Sequence, residues 1–95
     1  MLVDDYNIKK ALVTVIIEKV LLGLGPPVLE EVSRRLFEEY FCYIPDCYEK
    51  PEYLKEVLKE LYGKSHSEIV NSIQEQLKDF AYNKRVDEFL QVLAE

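Results

Sequence analysis

Ala11-Leu12-Val13-Thr14-Val15-Ile16-Ile17-Glu18-Lys19-Val20-Leu21-Leu22-Gly23 is the stretch on which the fold turns. Set at 100° per residue, its apolar side chains cover nearly the whole circumference of a helix, broken only by Thr14, Glu18 and Lys19. A helix apolar all round is expected to be buried all round. The β-branched run 13–17 also suits a strand. No other segment reads as a strand to pair with it, and about 18 residues without a turn signal favour a helix by length. Asp4 or Asp5 is an acceptable N-terminal cap at the positive end of the helix dipole, and Gly23 stands where a helix commonly ends.

Outward from that rod, turn signals at 23–27, 44–51, 63–65 and near Asn83 divide the chain into further helices. Pro26-Pro27 opens the second, since proline in the first turn loses no intrahelical hydrogen bond. Val28, Leu29, Val32, Leu36, Phe37, Tyr40 and Phe41 make its apolar stripe. Opposite them, Glu30/Arg34, Glu31/Arg35, Arg34/Glu38 and Arg35/Glu39 stand four apart, a self-paired solvated face. The third helix runs from Pro51 to Gly63 with Leu54, Val57, Leu58 and Leu61 inward. Ser65 and Glu68 match a capping box, which starts a fourth helix at Ser65; Ile69, Val70, Ile73, Leu77, Phe80 and Ala81 follow at helical spacing. Beyond Asn83, Val86, Phe89, Leu90 and Leu93 mark a fifth. The reading is all-α: one helical domain over 1–95, a compact bundle of about five helices around a central hydrophobic N-terminal helix, with the second and fourth packed on it.

At 95 residues, 48% hydrophobic and 32% charged, the composition is globular and sufficient for one modest core. The net charge of −6 is spread over both halves, so no basic region meets a phosphate backbone. The alternative reading, a helix-turn-helix DNA-binding regulator built from the third and fourth helices, would use Ser67, Asn71, Gln74 and Lys78 as readers. Residues 64–78 balance Lys64 and Lys78 against Glu68 and Glu75, which gives a recognition helix no positive field; nucleic acid is not the expected partner. The start Met1-Leu2-Val3-Asp4-Asp5 is acidic where a secretory signal is basic, and Glu18 and Lys19 interrupt the apolar run well short of the ~20 residues that cross a bilayer. A cytoplasmic protein with no membrane partner is expected. Two cysteines fit a reducing compartment, and abundant Lys and Glu beside sparse Asn, Gln and Met is a thermophile pattern.

Cys42-Tyr43-Ile44-Pro45-Asp46-Cys47 comes nearest to a metal or redox motif. A structural zinc site wants four ligands and a thioredoxin-like site a Cys-x-x-Cys on a βαβ background, so the cysteines read first as inert, semi-buried thiols, with a structural disulfide between them as the alternative. His66, the only histidine, follows a capping serine and reads as a partner-free surface residue. No catalytic residue, metal or cofactor is expected, and the chain is not read as an enzyme. Tyr40, Tyr43, Tyr48 and Tyr53, with Phe41, concentrate aromatic rings around the cysteine loop, as a packed cluster or as a ligand or partner surface; a small-ligand binder using this loop is a third reading of the chain.

Leu24-Gly25-Pro26-Pro27-Val28-Leu29, then Asp46-Cys47-Tyr48-Glu49 before Pro51-Glu52-Tyr53-Leu54, then Leu58-Lys59-Glu60-Leu61-Tyr62-Gly63, resemble a small archaeal family, the Nitrosopumilus output domain, over most of 8–93. The resemblance implies a non-enzymatic helical module standing alone or beside signalling domains and acting as an output or interaction unit. Independently, four other helices, two of them short, cannot cover every side of the first. A homodimer through Leu12, Ile16, Ile17, Val20 and Leu24 is therefore expected, with the aromatic loop as the next surface.

Overall fold

In the computed structural model, which describes residues 5–95, the opening stretch is helical: α1 spans Asp5–Gly23. Its β-branched run is accommodated, and the Thr14 hydroxyl donates back to the Lys10 carbonyl at 2.8 Å instead of pulling the backbone out of register. Val13, Ile17 and Leu21, spaced four apart, are wholly buried. On the opposite side Ile8, Val15 and Leu22 face outward, Val15 at 57% exposure. Within the single chain, α1 is therefore covered on one side and open on the other. The 3-10 turn Ile44–Tyr48, α2 and α4 pack on α1, and they cover one side only.

Leu24 and Gly25 N–H groups fold back on the Leu21 and Leu22 carbonyls at 3.1 and 2.9 Å. Gly25 turns the chain at φ 131°, a conformation that favours glycine, and α2 follows over Pro26–Tyr40. It buries Val32 and Leu36; Phe37 and Phe41, expected inward, are exposed. The charged face is paired nearly as the spacing predicts. Arg34 meets Glu31 at 2.6 Å and Glu38 at 2.9 Å, while Arg35 meets Glu39 at 3.6 Å and crosses to Glu60 at 3.3 Å. Glu30 does not take Arg34, because Glu31, one residue closer, already holds it.

The segment read as a loop contributes to the core: Ile44, Cys47 and Tyr48 of the 3-10 turn are buried. Its start is tied reciprocally, the Asp46 carboxylate accepting from Tyr43 N–H at 3.0 Å and Asp46 N–H donating to the Tyr43 carbonyl at 2.9 Å. Next, α3 covers Pro51–Tyr62, buries Pro51, Leu54, Val57 and Leu58, and lies between α2 and α5. Gly63 turns at φ 55°, and a short 3-10 turn, Gly63–Ser65, runs directly into α4, His66–Leu77.

The Ser65–Glu68 capping box does not form. Ser65 is already helical at φ −70°, ψ −12° and makes no side-chain cap bond, because the preceding turn supplies the carbonyls that a cap would replace. Asn83 is the true cap. Its side chain accepts from the N–H groups of Arg85 and Val86 at 3.1 and 3.2 Å, starting α5 at Lys84–Ala94, and its amide reaches Asp5 on α1 at 3.3 Å. Between α4 and this cap, Lys78–Phe80 forms a further 3-10 turn, so Phe80 and Ala81 lie beyond α4.

Among the described residues there is no strand. The buried side chains form one cluster drawn from every α-helix, the 3-10 turn 44–48 and Cys42 just before it. The radius of gyration, 12.7 Å, is that of a compact chain of this length (~13 Å for 100 residues). No helix of the described residues is long and apolar enough to cross a membrane.

Candidate functional site

Of the tyrosines proposed as a partner surface, the fold leaves one open. Tyr40 and Tyr53 stack face to face, centroids 4.4 Å apart and planes within 9°, and join α2 to α3. Burial, reinforced by the nearby Glu60 and Glu39, pushes the Tyr40 phenol above its ordinary pKa. Tyr48 is 6% exposed and packs edge-on against Tyr6 at 5.4 Å, so it is a core residue, not a surface one. Only Tyr43 is freely exposed. It joins Phe37 at 5.6 Å, and Phe37 joins Phe41 at 5.9 Å, an open row of three rings running off the C-terminal end of α2.

Phe41 itself stands at φ 51°, ψ 42° and is 81% exposed. Left-handed backbone at a residue with a Cβ costs roughly 1–2 kcal/mol. The sequence carries a trace of this. A helix that must stop at 40 has neither glycine nor asparagine after it, so a bulky residue takes the left-handed position that glycine usually fills.

Both cysteines are free and buried, and both thiols point at the Tyr43 carbonyl, Cys42 at 3.3 Å and Cys47 at 3.8 Å. Burial raises the pKa of each, that of Cys47 far above the ordinary thiol range. At neutral pH they are protonated and poorly nucleophilic. Among the described residues no three His, Cys, Asp or Glu side chains come together to hold a metal.

His66, expected to lack a partner, has one: Nδ1 lies 2.8 Å from the Gly63 carbonyl. A carbonyl only accepts, so Nδ1 carries the proton there. Ser67 and Asn71 on α4 are exposed, but Lys78, in the 3-10 turn just after it, is ion-paired with Glu75 at 2.6 Å. That pairing leaves the supposed recognition helix with little charge to offer a phosphate.

The residues placed at the dimer interface divide. Ile17 has no exposed surface and belongs to the core, so it is unavailable to a partner in the folded chain. Leu12, Ile16 and Val20 are half-buried against that core, and Leu24 is exposed. The outermost line is Ile8, Val15 and Leu22, seven residues apart. Their spacing was present in the sequence, but with apolar residues on every side nothing singled out which row faces away.

Two concavities flank these surfaces. One, of about 330 Å³, lies between the end of α1, α2, α3 and α4 and is lined by Leu24, Val28, Tyr62 and Ile69. The other, of about 260 Å³, lies where the start of α1, the 3-10 turn 44–48, the first turn of α3 and α5 meet. Tyr6, Tyr48, Arg85 and Phe89 line it with Glu52 and Glu88, and the Arg85 guanidinium sits 5.0 Å over the Tyr6 ring.

At its edge, the Tyr48 hydroxyl is buried without a hydrogen-bond partner among the described residues. An unsatisfied buried hydroxyl costs about 1–3 kcal/mol. Tyr48→Phe is therefore expected to leave the unfolding free energy unchanged or to raise it by about 1 kcal/mol, as read from urea denaturation; a loss larger than ~1 kcal/mol would mean that the hydroxyl is bonded. Comparison of the chain with protein-family models, with curated proteins and with solved structures gives no match.

Proposed function

We propose that this chain is a non-enzymatic protein-interaction module that pairs with a second copy of itself through the outer row of α1. The observation that carries the reading is the exposed line Ile8, Val15 and Leu22. Three large apolar side chains at seven-residue intervals make one straight stripe, the pattern by which helices pack lengthwise. The stripe is symmetric about Val15. A two-fold axis there, with the helices antiparallel, sets Val15 against its own equivalent and Ile8 against Leu22 of the second copy, as an isologous interface requires. Ala11 and Lys19 flank the row, and neither places like charges across the axis.

The fourteen helical steps from Ile8 to Leu22 reach about 21 Å, so this contact falls below the ~1,200 Å² of a standard interface and forms a weak, concentration-dependent dimer. Weak pairing suits a regulatory element that assembles and releases. In keeping with the resemblance to the archaeal output-domain family, the module would serve as the regulatory or output part of a signalling system, with the Phe37, Phe41 and Tyr43 row free for a further protein.

Val15→Glu is the decisive variant. Because Val15 faces outward, the substitution is expected to leave the melting temperature within a few degrees of the parent while abolishing self-association in sedimentation equilibrium. A parent chain that stays monomeric up to about 100 μM would overturn the dimer.

A further inference from the structure

We propose that the cleft between the start of α1, the 3-10 turn 44–48 and α5 binds a free α-amino acid with an apolar side chain. Two hydrogen-bond donors of its lining have no side-chain acceptor among the described residues: one buried, one open to solvent. The Tyr48 hydroxyl is buried and unpartnered, and Arg85 has no carboxylate within ion-pair distance among the described residues although carboxylates line the same cleft. Arg85 acts electrostatically on the Tyr48 hydroxyl, so the two donors serve one region. A guanidinium beside a phenolic O–H is a receptor for a carboxylate.

A bare anion does not fit, because Glu49, Glu52 and Glu88 border the cleft. Lys10 holds Glu49 at 3.1 Å, but Glu52 and Glu88 have no cation partner among the described residues. They are the counterpart of an ammonium. The ligand must then carry both charges, and Pro51, Phe89 and Val92 supply an apolar wall for its side chain. At about 260 Å³ the cleft is smaller than the ~300–1,000 Å³ that house drug-sized ligands, the right scale for one amino acid and too small for a nucleotide. The hydroxyl has no exposed surface, so binding as proposed requires Arg85 to turn from the Tyr6 face and admit the carboxylate.

The test is titration of the full chain, followed by amide NMR shifts and calorimetry, with L-leucine and L-phenylalanine, and in parallel with leucinamide and N-acetylleucine. The expected result is saturable binding of a free amino acid below about 10 mM, with the largest shifts at Tyr6, Tyr48, Arg85 and Phe89. Removing either ligand charge should weaken binding at least ~10-fold. Arg85→Ala and Tyr48→Phe should each weaken it at least ~5-fold without lowering the melting temperature, which separates lost binding from lost folding. Absence of saturation by either amino acid overturns the proposal. So does leucinamide binding as tightly as leucine, which would mark a plain cation site, or N-acetylleucine doing so, which would mark a plain anion site.

Discussion

Ile17→Glu is expected to leave the chain unfolded at room temperature. Ile17 has no exposed surface and is the middle member of the Val13, Ile17, Leu21 line on which the 3-10 turn 44–48, α2 and α4 pack. Removing its side chain alone forfeits about 2–5 kcal/mol of burial and packing. Burying an unpaired carboxylate adds several kcal/mol more, whether the group stays charged or takes up a proton. A chain of this length has about 5–14 kcal/mol of stability in all, at 0.05–0.15 kcal/mol per residue. The helical circular dichroism should therefore collapse. A cooperative melt persisting well above room temperature would show that α1 is not seated as described. The contrast with Val15→Glu, two residues away, is the sharpest test of the fold, because the same chemical change is expected to be nearly silent for folding on the outer face.

Phe89→Ala should produce the second largest effect, a loss of about 3–5 kcal/mol. Phe89 is the largest fully buried side chain, on the face of α5 that packs against α3. For a domain of this size each kcal/mol moves the melting temperature by roughly 4–8 °C, so a fall of at least ~12 °C is expected in calorimetry. A shift of only a few degrees would mean that α5 contributes little to the cooperative unit. The same substitution removes one wall of the amino-acid cleft, so it cannot serve as a binding test there; Tyr48→Phe and Arg85→Ala do.

Much of the helical framework could be read from local pattern. Pro26, Pro51 and Gly63 mark their helix ends because their backbone restrictions act on the spot, whatever surrounds them. The charged face of α2 was nearly legible for the same reason: side chains three and four apart meet on any helix. The candidate site was far less legible. Tyr48 looks like the other loop tyrosines in sequence, yet it is buried against Tyr6, a residue 42 positions earlier. Tyr6 and Arg85 come to one cleft from near opposite ends of the chain. Ser65 matched a cap motif by spacing, but the turn before it was already helical, and that depended on how Gly63 bends the chain.

What the sequence by itself determined, then, is that this chain is helical, where most of its helices start and stop, and that it carries more apolar surface on α1 than a small chain covers. Propensity, capping and charge spacing are short-range, so they act before any tertiary contact exists. Only the tertiary structure decided that Ile17 is core and Val15 is surface, and that a tyrosine hydroxyl and an arginine share a cleft. Those outcomes depend on which neighbours the packing brings to each side of a helix. A uniformly apolar rod offers many nearly equivalent faces, and the choice among them is made by the total burial of the whole chain.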